Sequence, residues 1–184
     1  VNLRRLLLCA LTLPLLALGG CPQPEPGIEL GRYLVVATRT GGTCGPQQEE
    51  GAYSFQVDLT LRPGLVRWSQ TAGSPTDGTY DHGSRAFRLT MEQSRVLAQS
   101  NRAAEYAGCV IVRADAIDAR FQGAVPDPSR TDGGPVQGPA FVGTYTVLWS
   151  SASGSDCTPF VGATSQQWAA LPCSTTYRLD GTRQ

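Results

Sequence analysis

Any imidazole chemistry in this chain must run through His82, its single histidine. That residue stands in Tyr80-Asp81-His82-Gly83-Ser84, so the residue types of a Ser-His-Asp relay are all at hand. Their spacing does not suit the relay. Side chains of consecutive residues on extended backbone point apart, and no G-x-S-x-G elbow exists to present a serine. His82 is therefore read as a turn residue. Asp115 and Asp118 are the next pair to weigh, as a glycosidase-style acid and base. Three positions apart, they cannot share a face of an unbroken strand, and only a bulge would bring them together. Lysine nucleophiles are excluded, because every basic residue is arginine. Metalloprotease, Walker A and dinucleotide-binding patterns are absent, and Asp127 to Asp132 lacks the spacing of a calcium loop. The expectation is a non-catalytic protein with no cofactor and no metal.

The N-terminus carries a different kind of chemistry. Arg4 and Arg5 precede Leu6 to Leu18, a stretch without charge. This is the charged and apolar halves of an export signal, too short for the roughly 20 apolar residues of a spanning helix. The run ends in Leu18-Gly19-Gly20-Cys21, which resembles the lipobox of bacterial lipoproteins: an aliphatic residue, two small residues and a cysteine. The resemblance implies cleavage before Cys21, a diacylglycerol thioether on its sulfur and an acylated amine, palmitate being a typical chain. At about 0.8 kcal/mol per buried CH2, two or three such chains anchor a protein stably. Residues 1–20 are then the signal peptide and residues 21–27 the lipidated cysteine and its tether. Residues 28–184 form one domain. Pro22-Gln23-Pro24-Glu25-Pro26-Gly27 reads as polyproline II with a reach of roughly 19 Å. The expected location is the cell envelope, at the outer membrane in a Gram-negative organism, since Pro22 is not an aspartate retention signal. Without residues 1–20 the chain holds 13 Arg against 15 carboxylates, which argues against a nucleic-acid partner.

The domain is written in β grammar. Tyr53, Phe55, Val57, Leu59 and Leu61 alternate with Ser54, Gln56, Asp58 and Thr60, giving one buried and one wet face. Similar runs cover 28–39, 65–70, a short stretch at 79–80, 85–91, 109–121, 140–151 and 174–180. In 109–121 the alternation breaks near Ala116-Ile117, which predicts a bulge. Residues 92–107 carry no helical stripe and are expected to extend the preceding strand and then loop. Eight strands joined mostly by short turns predict an all-β, antiparallel up-and-down barrel, with a β-sandwich as the alternative. Gly31-x-Tyr33 in the first strand resembles the Gly-x-Trp of lipocalins, with Tyr in place of Trp.

Cysteines stand at 9, 21, 44, 109, 157 and 173. Cys9 falls in the signal and Cys21 takes the lipid, leaving an even number in an exported domain, hence two disulfides. With no C-x-x-C and one histidine, a zinc site is not expected. In an antiparallel meander all four lie at one end of the barrel. Strand eight then neighbours strand one, and strand six neighbours strand seven. This predicts Cys44–Cys173 and Cys109–Cys157; Cys157–Cys173 with Cys44–Cys109 is the rival pairing.

Aromatic side chains are the remaining binding signal. Tyr53, Phe55, Phe87, Phe141, Tyr145 and Trp149 fall at alternating positions and would line a cavity if the barrel is wide, or fill its core if it is narrow. Trp168, in a loop between cysteines, is expected to be the most exposed aromatic, seeding a protein or sugar contact, or else to plug the barrel end. Three functions follow. The first is a membrane-anchored envelope lipoprotein with an interaction or structural role; the second is a lipocalin-like carrier of a small apolar molecule; the third is a carbohydrate-binding module. The expected partners are the membrane, through the lipid, and an envelope protein, a glycan or an apolar ligand.

Overall fold

The structure is a computed structural model that describes residues 27–45, 51–70, 73–101, 103, 105–129, 136–162 and 168–184. The lipobox and nearly all of the tether lie outside the described residues. Each alternating run becomes a strand: β1 (Ile28–Gly42), β2 (Ala52–Arg62), β3 (Leu65–Gln70), β4 (Thr76–Asp81), β5 (Ala86–Ala98), β6 (Cys109–Phe121), β7 (Phe141–Ser151) and β8 (Cys173–Arg183). They pair in chain order, all antiparallel, and close into a barrel. The closing seam runs from Tyr33 opposite Arg183 to Gly42 opposite Thr175. Closure removes the sheet edges that a sandwich would leave. Outside, the register is reinforced by directly opposed charges: Arg32 with Asp58, Arg67 with Asp77 and Arg88 with Asp118. Such exposed pairs contribute up to about 1 kcal/mol each.

The two ends of the barrel differ. At the end where β1 begins and β8 finishes, the interior is solid. Phe87, Phe121 and Phe141 meet with ring centroids 5.1–6.1 Å apart, and Tyr33 lies 5.5 Å from Phe141. Trp68, Phe87, Phe121 and Phe141 are at most 2% exposed. Gly181 faces Phe141 across the β7–β8 pair, and the ring lies where a Cβ at Gly181 would stand. In the described part of the β6–β7 connection Val125 is buried and Pro139 O accepts a hydrogen bond from Tyr33 Oη, 3.2 Å. Gly31 takes φ +92°, backbone that L residues rarely adopt, where the β1–β2 register slips by one residue. The Gly31-x-Tyr33 pair thus turns the chain into the barrel floor.

At the opposite end the wall is uneven. Among the described residues β4 pairs with β5 from Thr79–Arg88 to Asp81–Ala86, and β5 beyond Leu89 has β6 as its ladder partner. The β5–β8 side rises above a low rim at β3 and β4. Both disulfides are at this end, Cys44–Cys173 and Cys109–Cys157. They flank the β7–β8 connection, in which a 3-10 turn spans Thr158–Phe160. Here one expectation fails: Trp168 is 1% exposed. The bridges bring its loop back over the rim, where its ring meets Trp149 at 5.6 Å and packs with Cys44, Cys109, Ile111, Cys157 and Cys173. Residues 92–107 behave as expected: β5 continues to Ala98, and Asn101 bridges Tyr106 in the loop that follows.

A second correction concerns β6. No bulge interrupts it near Ala116-Ile117; its register with β7 is unbroken from Ile111 to Phe121. Cys109, Ile111, Arg113, Asp115, Ile117, Ala119 and Phe121 occupy the inward phase, and Asp118 faces out to Arg88. The alternation looks broken in sequence because two charged residues hold inward places.

Candidate functional site

Strand geometry sets the site. The period of two puts Arg113 and Asp115 on the same inner face of β6. Across the sheet, Met91, Asp115, Val147 and Thr175 form one row of opposed residues. Gln93, Arg113, Trp149 and Cys173 form the row nearer the rim, and Leu89, Ile117, Tyr145 and Tyr177 the row nearer the packed floor. Tyr145 is therefore the diagonal neighbour of Asp115, a distance long side chains span.

Inside this otherwise apolar wall Asp115 is 5% exposed. Burial of a carboxylate is costly unless donors surround it. Tyr145 Oη donates to Asp115 Oδ1 at 2.5 Å and Arg113 Nε donates to the same oxygen at 3.0 Å. Arg113 Nη2 lies 2.9 Å from it and donates to Tyr145 Oη at 2.6 Å. Three residues form one closed network. Burial, and then the negative Asp115, push the Tyr145 phenol well above its ordinary range, so it remains a neutral donor. For Arg113 burial works against the charge, yet Tyr145 and Asp115 outweigh it and hold the guanidinium charged. Its guanidinium carbon also sits 5.3 Å from the centre of the Trp149 ring, a cation–π contact. In the same row as Asp115, Thr175 is 2% exposed and its Oγ1 has no hydrogen-bond partner among the described residues.

The six aromatics read from sequence separate into two groups. Phe87 and Phe141 belong to the packed floor. Tyr53, Phe55 and Trp149 are half-buried against the upper core, and Tyr145 lines the same region. Tyr53 meets Tyr177 edge-on at 5.4 Å, and Tyr145 stacks on Tyr177 at 5.8 Å. Among the described residues no Phe, Tyr or Trp is exposed, and the half-buried ones are Tyr53, Phe55, Tyr106, Trp149 and Phe160. All five lie at the disulfide end.

Comparison with protein families, characterised proteins and solved structures finds no match for this chain. Its chemistry is therefore read from its own geometry.

The residues considered first for catalysis are scattered. His82 lies in the exposed β4–β5 turn with Nδ1 3.2 Å from Tyr80 Oη. Asp81 Oδ1 accepts from the amides of Gly83 and Ser84, at 2.9 and 3.4 Å, which commits it to the turn. Those bonds, the Ser84 hydroxyl first, hold its carboxyl below the usual range. Asp118 is separated from Asp115 by the sheet itself. Asp115 was weighed in sequence only as a partner of Asp118; Arg113, Thr175 and Tyr177 were not singled out, and the broken alternation in β6 was the one signal of the Arg113–Asp115 pair.

Proposed function

We propose that this protein is a lipid-anchored, non-catalytic component of a bacterial envelope that binds a small, ring-bearing molecule in the open half of its barrel. One observation carries the reading: every aromatic that retains partial exposure is at the disulfide end. The inward positions there open progressively, from Met91 to Gln93 and Arg95 on the tall strand β5. Packed floor, aromatic walls and a low rim at β3–β4 are the features of a cup. Absence of exposed aromatic rings on the outer wall disfavours a glycan platform. The two disulfides accord with an oxidising, exported location, and Cys21 supplies the anchor.

Native mass spectrometry of the exported chain carrying Cys21→Ser tests the binding reading. A stoichiometric non-covalent adduct supports it; a bare mass from every preparation sinks it. Metabolic labelling with an alkynyl palmitate tests the anchor separately. Label on the wild type and none on Cys21→Ser is the expected result.

A further inference from the structure

We infer that the Asp115–Thr175 row is a polar subsite for an uncharged ring compound bearing an N–H or O–H donor. The inference rests on the carrier reading and names what the carrier recognises. All donors that reach Asp115 end on Oδ1; among the described residues no hydrogen bond reaches Oδ2. A carboxylate 5% exposed, with one oxygen saturated and the other bare, is a group awaiting a donor. Thr175 Oγ1 is the second such group, buried and unpartnered in the same row. Only Val147 stands between them, so two strand spacings of about 4.8 Å separate their backbones. A ring lying over Val147 would turn its donor toward Asp115 Oδ2, with Thr175 farther along the same row.

Charge selects further. Asp115 is already matched by Arg113 at 2.9 Å, so the subsite is neutral as a unit and offers neither a cation nor an anion an unopposed partner. Recognition then falls to the donor on the ring. A site built around buried hydrogen-bonding atoms discriminates strongly against an analogue that leaves them unmet.

Indole and 1-methylindole differ by that one donor, and isothermal titration of the exported Cys21→Ser chain with each is the test. Saturable indole binding, with 1-methylindole weaker by at least about tenfold, is expected. Arg113→Met combined with Asp115→Leu removes the acceptor together with its ion partner and should abolish the difference between the two probes; if that variant does not fold, the ratio of the two probes on the Cys21→Ser chain decides alone. Equal binding of both probes overturns the subsite and leaves the carrier reading standing. So does the failure of both probes in a protein that carries some other adduct in native mass spectra. Failure of both probes together with a bare mass overturns subsite and carrier alike.

Discussion

Tyr145 donates its phenolic hydrogen to Asp115 Oδ1 across the β6–β7 pair, 2.5 Å away inside the barrel. The bond joins a residue from the expected aromatic lining to one that sequence placed at a bulge. Removing its donor is expected to cost about 1.5–3 kcal/mol in Tyr145→Phe, the worth of a hydrogen bond to a charged group, with Arg113 still donating to the same oxygen. Chemical denaturation measures it.

The Arg113–Asp115 pair has a distinct signature. Asp115→Leu alone leaves a half-buried guanidinium without its partner and is expected to destabilise by a few kcal/mol, about 3 at most because Arg113 remains partly solvated. Arg113→Met combined with Asp115→Leu replaces the pair by apolar volume and should recover most of that loss. A double variant as unstable as the single one would show that the two residues are not coupled.

Alkaline pH should loosen the fold through its buried phenols. Burial pushes the Tyr33 hydroxyl up to about 12, and burial with Asp115 pushes Tyr145 up as well. A raised folded-state value means that the native protein holds its proton longer than the unfolded chain does. Their contribution is thus fully present below pH about 10, the unfolded value, and declines as pH rises from there through the folded values. Urea midpoints between pH 8 and 12 should be flat at first and then fall. Tyr33→Phe combined with Tyr145→Phe should flatten the alkaline limb; an unchanged slope would refute the assignment.

Trp168 depends on covalent bonds. Opening Cys109–Cys157 by paired Ser substitutions is expected to cost about 2–4 kcal/mol and to free one side of the loop over the rim. Acrylamide should then quench a larger share of the tryptophan fluorescence. Non-reducing peptide maps of the wild type should show the two bridges and no Cys157–Cys173 peptide.

Gly181 tests the packed floor. Ala at this position forces the Phe141 ring from its place, and a loss of about 1–3 kcal/mol is expected from overpacking. Gly64→Ala serves as the comparison: its Cβ meets open space, so whatever it costs reflects backbone strain at φ +73° and not displaced packing.

The barrel was legible because β alternation is a local property. Tyr53 to Leu61 announces its inner face residue by residue, and the positions of four cysteines at strand ends report which ends meet. The site was not legible for the same reason. Local alternation assigns apolar residues inward, so Arg113 and Asp115 read as a defect in β6 when they are its most informative positions. Their partner Tyr145 lies 30 residues away from Asp115, and only the β6–β7 register places it within reach. Trp168 was misread because a polar loop looks exposed until two disulfides fold it back.

Ile28 enters the barrel at the packed floor, opposite Leu61, and the low rim is at the far end of every strand. On the proposed lipidation of Cys21, the anchor lies on the chain ahead of Ile28 and so on the floor side of the barrel. The floor then faces the bilayer and the rim faces water. Cargo would arrive by diffusion from the aqueous compartment and not by sliding sideways out of the membrane. A fluorophore on the rim and one near Ile28, measured against a quencher in the lipid, would differ accordingly.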